Sequence, residues 1–227
     1  YAAADQGRTD MKGLLKNNYF ATLDNAKAIT ALMVLLCALG IVMKNQMLLI
    51  SFTLFCMVGF SLISLVGSLK ERGFKWDKYK LSMPVRRAEI VRSYFLSLLI
   101  WLVFGMLLAG SGIGLSLVIR GFLFDKPTDV FNLYVGGIGV SLFAGAIFFP
   151  LYCSSGGEER GEALLVISLL LGFGIIAAIS SFINARIPTP LTARGTIAVG
   201  IMILSAAVCA FVFSYALTIR IYRRRDC

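Results

Sequence analysis

The stretch Ser93–Ile119, SYFLSLLIWLVFGMLLAGSGIGLSLVI, decides the class of fold. It contains no Asp, Glu, Lys or Arg, and it exceeds the roughly 20 helical residues that cross a bilayer core about 30 Å thick. A helix in this stretch has no polar face to turn toward water. The stretch therefore predicts a transmembrane helix.

Five further apolar runs lie on either side of this stretch, separated by polar breaks at Lys44, Lys70, Arg120, Ser154 and Arg186. Each run is long enough for one helical crossing. We predict an all-α, polytopic membrane protein with six transmembrane helices at Ala26–Met43, Met47–Leu69, Ser93–Ile119, about Leu133–Cys153, Ala163–Ile183 and Thr196–Ile219.

Residues 11–23 precede the first span and carry apolar side chains at helical spacing, with Lys12 and Lys16 on the opposite side. This pattern predicts an amphipathic helix that lies in the membrane interface. Met11 is a candidate initiator, so residues 1–10 are expected to be a non-native remnant or disordered. Residues 11–227 are expected to form a single transmembrane domain.

The composition supports a membrane protein and excludes several enzyme classes. Of 227 residues, 58% are hydrophobic and 15% are charged, against roughly a quarter charged in soluble domains. Histidine is absent, which excludes His-dependent triads, His-ligated haem and the usual zinc sites. No metal site is predicted. The cysteines form no CxxC pair and are predicted to be apolar fillers: Cys37, Cys56, Cys153, Cys209 and Cys227.

The positive charge indicates membrane topology. The net charge of +10 would suggest nucleic acid in a soluble protein, but the basic residues lie between apolar runs, and no nucleic-acid partner is predicted. With the amino terminus inside, sixteen of the Lys and Arg in residues 11–227 fall on the inner side and five on the outer side. The positive-inside rule then predicts both termini in the cytoplasm. A plasma-membrane location is expected.

Spans two to six, as predicted, contain no Asp, Glu, Lys or Arg. Ion-coupled transporters usually hold ionisable groups inside the membrane to bind ions or carry protons. If the chain transports a substrate, the energy is therefore expected to enter from outside the membrane. The chain has no GxxxxGK[ST] phosphate loop, so it is not expected to hydrolyse ATP in that way.

Small residues recur at four-residue spacing in two spans. Gly110 and Gly114 lie in the third span, and Gly137, Ser141 and Gly145 form a ridge in the fourth. Such ridges let helix backbones approach closely. They predict either packing within the bundle or a face for self-association.

The stretch Lys70–Arg92 sets large aromatic side chains among lysines and arginines. Pro84 disfavours helix at the preceding Met83 and can begin a new helix that runs into the third span. One interpretation is an interfacial helix anchored to anionic lipid. The other is a docking site for a cytoplasmic partner, since aromatic and Arg side chains are frequent interface anchors.

Two parts of the chain resemble a known family. WDKYKLSMPVRRAEIVRSY, residues 76–94, resembles the first cytoplasmic loop of six-span permeases of type-2 class ABC exporters. FPLYCSSGGEER, residues 149–160, is similar to that family's second cytoplasmic loop, a proline followed by a Gly- and Glu-rich turn. The similarity is greatest to permeases that export amphipathic peptide toxins, such as the phenol-soluble-modulin exporters.

The resemblance implies a role for each loop. The first would hold a coupling helix seated on a separate ATP-binding subunit, and residues 11–23 would be the elbow helix. The implied coupling residues are Phe74, Trp76, Tyr79, Leu81, Ser82, Pro84, Arg86, Arg87 and Glu89, and those of the second loop are Gly157, Glu158, Glu159 and Arg160.

The resemblance also implies partners. The chain would bind no cofactor itself, since ATP and Mg would bind to a cytoplasmic ABC ATPase subunit. A six-span chain is half of such a unit, so a second copy or a related permease would complete it within membrane lipid. The alternative is a membrane-embedded immunity or structural protein that binds a peptide or partner protein without moving it, which copurification of an ATPase would distinguish.

Overall fold

The computed structural model describes residues 22–23, 26–73, 87–121, 124, 126–154, 161–186 and 193–224. Within these ranges, each long element is a helix with a window long and apolar enough to cross a membrane. This confirms the prediction of an all-α protein with six candidate spans. The helices are α1 (Ala26–Met43), α2 (Gln46–Gly73), α3 (Arg87–Arg120), α4 (Pro127–Ser154), α5 (Gly161–Arg186) and α6 (Ala193–Arg224).

A tight turn joins α1 to α2 at the polar break predicted at Lys44. Lys44 adopts a left-handed conformation with φ 52°, and the Asn45 N–H donates to the Gly40 carbonyl at 3.2 Å. This is the bond of a Schellman C-cap. The Asn45 side-chain oxygen then accepts from the Met47 N–H at 2.9 Å, which caps the start of α2.

The connection from α3 to α4 is shorter than the sequence suggested. Gly121, with φ +82°, ends α3 through an N–H bond to the Leu117 carbonyl at 3.1 Å. The predicted start of the fourth span near residue 133 is corrected, because α4 already begins at Pro127. Proline is favoured in a first helical turn, and the Asp129 carboxylate accepts from the Lys126 N–H at 3.0 Å.

The bundle is built around α2 and α4. In their membrane-spanning windows 61% and 67% of residues are buried, against 11% in α5. Helix α4 contacts α2, α3, α5 and α6, and α3 packs along α2. The outer faces of α1, α3, α5 and α6 carry exposed apolar side chains, as expected for surfaces that meet lipid or another membrane protein.

Two predicted features lie largely outside the described residues. Of the predicted elbow helix, Thr22 and Leu23 are described; both are helical, and Thr22 is buried against α2 at Gly67. Of the stretch from 70 to 92, residues 74–86 lie outside the description, including the predicted helix start at Pro84. The predicted continuity of a helix from Ala88 into the third span is confirmed.

Candidate functional site at the loop end of the bundle

One end of the bundle carries the flanks of both predicted coupling loops; we call it the loop end. Helix α2 ends there at Gly73 and α3 begins at Arg87, while α4 ends at Ser154 and α5 begins at Gly161. A Cβ built on Gly161 would lie 2.6 Å from a methyl carbon of Leu69, so α5 starts against the last turns of α2. The chain segments 74–86 and 155–160 therefore leave from neighbouring helix ends.

A buried hydrogen bond joins α4 to α2 at the loop end. The Tyr152 hydroxyl donates to the Ser68 carbonyl at 2.6 Å, and the two residues are 2% and 4% exposed. Away from water, a hydroxyl and a carbonyl have few other partners. This bond therefore links the flanks of the two predicted loops directly.

A cluster of aromatic rings surrounds this bond and joins α3, α4 and α6. The ring centroids of Phe95 and Phe149 are 4.4 Å apart, and Phe95 lies 4.9 Å from Phe211. Ring pairs at these separations attract one another beyond the effect of their buried area. The cluster consists of Tyr94, Phe95, Phe148, Phe149, Tyr152, Phe211 and Tyr215.

Pro150 interrupts the backbone hydrogen bonds of α4 within this cluster. Proline has no N–H, so the carbonyl four residues earlier, on Ala146, loses its partner in the helix. Ser214 of α6 provides another donor, since its hydroxyl donates to the Ala146 carbonyl at 2.6 Å. A side chain from a neighbouring helix thus supplies the bond that the proline removes.

Farther from the loop end, α2 and α4 meet through small and hydroxylated residues. A Cβ on Gly137 would lie 2.5 Å from the Met57 sulfur of α2, and one on Gly145 would lie 2.6 Å from a methyl carbon of Leu98 on α3. The Ser61 and Ser141 hydroxyl oxygens are 2.7 Å apart. Helices of the same chain therefore occupy the predicted ridge on α4.

The two glycines predicted to pack on α3 have few contacts within the chain. Gly110 is exposed, and a Cβ there would lie 3.0 Å from the Tyr134 hydroxyl oxygen, whereas a Cβ on Gly114 would have no atom within 4 Å. Closer approaches to α2 lie at Gly112, beside the Phe52 ring, and at Gly105, where a Cβ would come within 2.6 Å of the Cys56 carbonyl oxygen. The signal for this site was in the sequence, because Gly105 and Ala109 are also four residues apart.

The predicted coupling residues are described only in part. Glu89 lies in the first turn of α3 and is half-buried, and Arg87 is the first residue of that helix. The other predicted coupling residues, from Phe74 to Arg86, and the second-loop residues Gly157 to Arg160 lie outside the described part of the chain. Sequence reasoning placed α4 at a coupling loop but missed the roles of Tyr152 and Ser214.

Cavities open on the bundle's sides. One of about 490 Å³ lies between α1 and α3, lined by Lys27, Thr30, Trp101 and others. Two more, of about 400 and 290 Å³, share Asn132, Gly136 and Ile176. All are walled mainly by apolar side chains.

Among the described residues, no group of three His, Cys, Asp or Glu could hold a metal ion.

Comparison with known proteins identifies the family of the chain. The model of the family described as ABC-2 family transporter protein matches residues 13–223. No curated protein and no solved structure matches the chain. A permease domain of this family has no ATPase of its own and is the transport component of an ATP-driven system, in agreement with the absence of a phosphate loop from the sequence. The chain, a multi-pass membrane protein, therefore belongs to the ABC-2 family of transporter permeases.

Proposed function

We propose that this permease exports amphipathic peptides across the plasma membrane, using a separate cytoplasmic ABC ATPase. The observation that carries the proposed cargo is the chemistry of the spans, whose interior offers apolar, hydroxyl and aromatic surface. A small hydrophilic ion would lose its hydration there without compensation. An amphipathic peptide would gain apolar contacts and bond its polar groups to hydroxyls.

The cavities support this class of cargo. Gly136 lines both smaller cavities, and a Cβ at this position would have no atom within 4 Å. Asn132 and Ser180 offer polar groups beside Ile176 and Val199. The direction of transport follows the resemblance to exporters of peptide toxins such as phenol-soluble modulins, and export of such peptides would confer resistance to antimicrobial peptides.

The ATPase is proposed to bind through the two loops at the loop end. Trp76 and Tyr79 would be the principal anchors, with Arg86 and Glu89 at the polar rim and Glu158 and its neighbours on the second loop. The direct contact between the loop flanks, through Tyr152 and Ser68 in particular, supports a shared docking surface. Aromatic anchors of this kind typically lose more than about 2 kcal/mol of binding energy when cut to alanine.

Reconstitution with the partner ATPase tests this function. Wild-type complex in proteoliposomes should hydrolyse ATP. Amphipathic peptide should stimulate this hydrolysis and accumulate on the side of the membrane opposite the ATPase.

Trp76→Ala and Tyr79→Ala should each weaken ATPase binding about thirtyfold or more while leaving the melting temperature in detergent unchanged. Phe213→Ala, which removes an aromatic ring exposed on α6, is the matched control and should retain the ATPase.

Other outcomes would argue for a different function. Peptide flux driven by an ion gradient without nucleotide would exclude ATP-driven export by this chain. Selective transport of a sugar or inorganic ion, with no response to peptide, would contradict the proposal that the cargo is an amphipathic peptide. Full ATPase affinity and full export in both variants would remove Trp76 and Tyr79 from the docking surface.

The proposed orientation places both termini in the cytoplasm, with an elbow helix at residues 11–23. A variant in which Cys227 is the single cysteine tests it in right-side-out vesicles. An impermeant thiol reagent should fail to label Cys227 until the membrane is opened. Labelling of Cys227 in sealed vesicles would contradict the proposed orientation.

A second copy, or a related permease, is proposed to complete the pathway. The small residues on α4 are occupied within the chain, whereas a Cβ at Gly114 of α3 would have no atom within 4 Å. Gly114→Leu should reduce cross-linking between two differently tagged copies. Unchanged cross-linking would exclude this face from the contact between copies.

A further inference from the structure

The end of α4 is held in place by side chains of other helices, and it leads directly into the second loop. Pro150 removes one backbone bond from α4, and the last turn, Leu151–Ser154, follows immediately. A proline weakens a helix at the point where it removes the hydrogen bond and commonly produces a kink. Bonds from outside α4 therefore contribute to the orientation of this last turn.

The structure supplies two such bonds, one on each side of Pro150. Before the proline, Ser214 of α6 donates to the Ala146 carbonyl at 2.6 Å. After it, Tyr152 donates to the Ser68 carbonyl of α2 at 2.6 Å. Both donors are buried, so loss of either bond would leave a polar group without water to replace its partner.

We infer that Tyr152 and Ser214 are positioning residues that couple the ATPase to the permease through a joint at Pro150, an inference that rests on the proposed function. Ser68 lies in the last turns of α2, shortly before segment 74–86, and Tyr152 lies just before segment 155–160. Movement of either loop by the ATPase would therefore be passed between α2 and α4 by this hydrogen bond. Ser214 holds the part of α4 before the joint to α6.

The aromatic cluster explains why movement at the joint would spread through the bundle. Tyr152 stacks on Phe148 with centroids 5.4 Å apart, and Phe149 contacts Phe95 of α3. Phe95 in turn meets Phe211 and Tyr215 of α6. Densely packed rings do not deform independently, so a rotation of the last turn of α4 would shift α3 and α6 as well.

The variants Tyr152→Phe and Ser214→Ala each remove one hydroxyl and keep nearly the same volume. We expect each variant complex to bind the ATPase and hydrolyse ATP, while peptide transported per ATP falls about two- to tenfold, the range for loss of one net hydrogen bond. Ser214→Thr, which retains the hydroxyl, should restore the ratio. Tyr134→Phe loses a bond to the Met106 carbonyl at the other end of α4 and should leave the ratio unchanged.

A second readout reports on the joint without transport. Cys153 is 2% exposed and lies in the last turn of α4. A small thiol reagent should modify it several-fold faster in Tyr152→Phe and Ser214→Ala than in wild type. Cys56, fully buried in α2, provides the internal control and should react at the same rate in all variants.

The outcomes separate this inference from the proposed function. If wild-type complex shows no peptide transport, the proposed function fails, and unchanged Cys153 reactivity in both variants would still overturn the joint. If wild type transports peptide and the variants transport the same amount per ATP, the coupling role is wrong even where Cys153 becomes reactive. Transport and hydrolysis that fall in proportion would indicate lost ATPase binding or folding and would also overturn it.

Discussion

A comparison of two glycines on α3 tests the packing of the bundle most directly. Gly105 and Gly114 lie in the same helix, but only Gly105 approaches another backbone. A Cβ added at Gly105 would lie 2.6 Å from the Cys56 carbonyl oxygen and 3.2 Å from the Phe60 Cβ. No rotamer change can move a backbone carbonyl, so α2 and α3 would have to separate.

The size of the effect follows from these distances. Carbon–oxygen contacts in proteins are commonly about 3.3–3.6 Å, so Gly105→Ala requires a separation of roughly 0.7–1 Å. Overpacking of this kind costs about 1–3 kcal/mol. Replacing glycine by alanine inside a helix contributes about 1 kcal/mol in the opposite direction. Because Gly114→Ala gains the same propensity without the clash, it should be about 1–3 kcal/mol more stable than Gly105→Ala.

Thermal unfolding of both variants in one detergent measures this difference. For a chain of 150–250 residues, 1 kcal/mol shifts the melting temperature by about 2–4 °C, so the variants should differ by roughly 2–12 °C. Gly114→Ala should melt at or above the wild-type temperature. If Gly105→Ala melts as high as Gly114→Ala, the backbone contact between α2 and α3 does not exist as described.

Three further predictions test other features of the bundle. A double-mutant cycle on Ser61→Ala and Ser141→Ala should give a coupling energy of about 0.6 kcal/mol in unfolding measurements, the average for hydrogen bonds between membrane helices; a value of zero would exclude the bond between these hydroxyls. Cys209 is exposed on α6, so a membrane-permeant maleimide should label it faster than buried Cys56, and equal rates would contradict the burial of α2. The purified chain without its partner should hydrolyse no ATP above the background of empty vesicles, and activity that copurifies with the chain through several columns would contradict its assignment as a permease without ATPase.

The candidate site was predictable in part, and the limit has a physical cause. Pro150 lies in an apolar run, and a proline inside a helix leaves one carbonyl of that helix in need of another donor. Which donor fills that place depends on the rotation of α6 about its own axis, because Ser205, Ser214 and Thr218 all lie on that helix. The structure turns Ser214 toward Ala146, whereas Ser205 is exposed and bonds within its own helix.

The sequence by itself determined the number of spans and their approximate limits, because a run of apolar residues is stable in lipid whatever its neighbours are. It also determined the turn at Lys44 and Asn45, whose capping bonds are local. Only the tertiary structure decided which small residues bring helices together, such as Gly105 against Cys56 rather than Gly114. The physical reason is that every face of these helices is apolar, so lipid provides no hydrophobic preference that orients one face inward; the fit between particular side chains and backbones makes that choice.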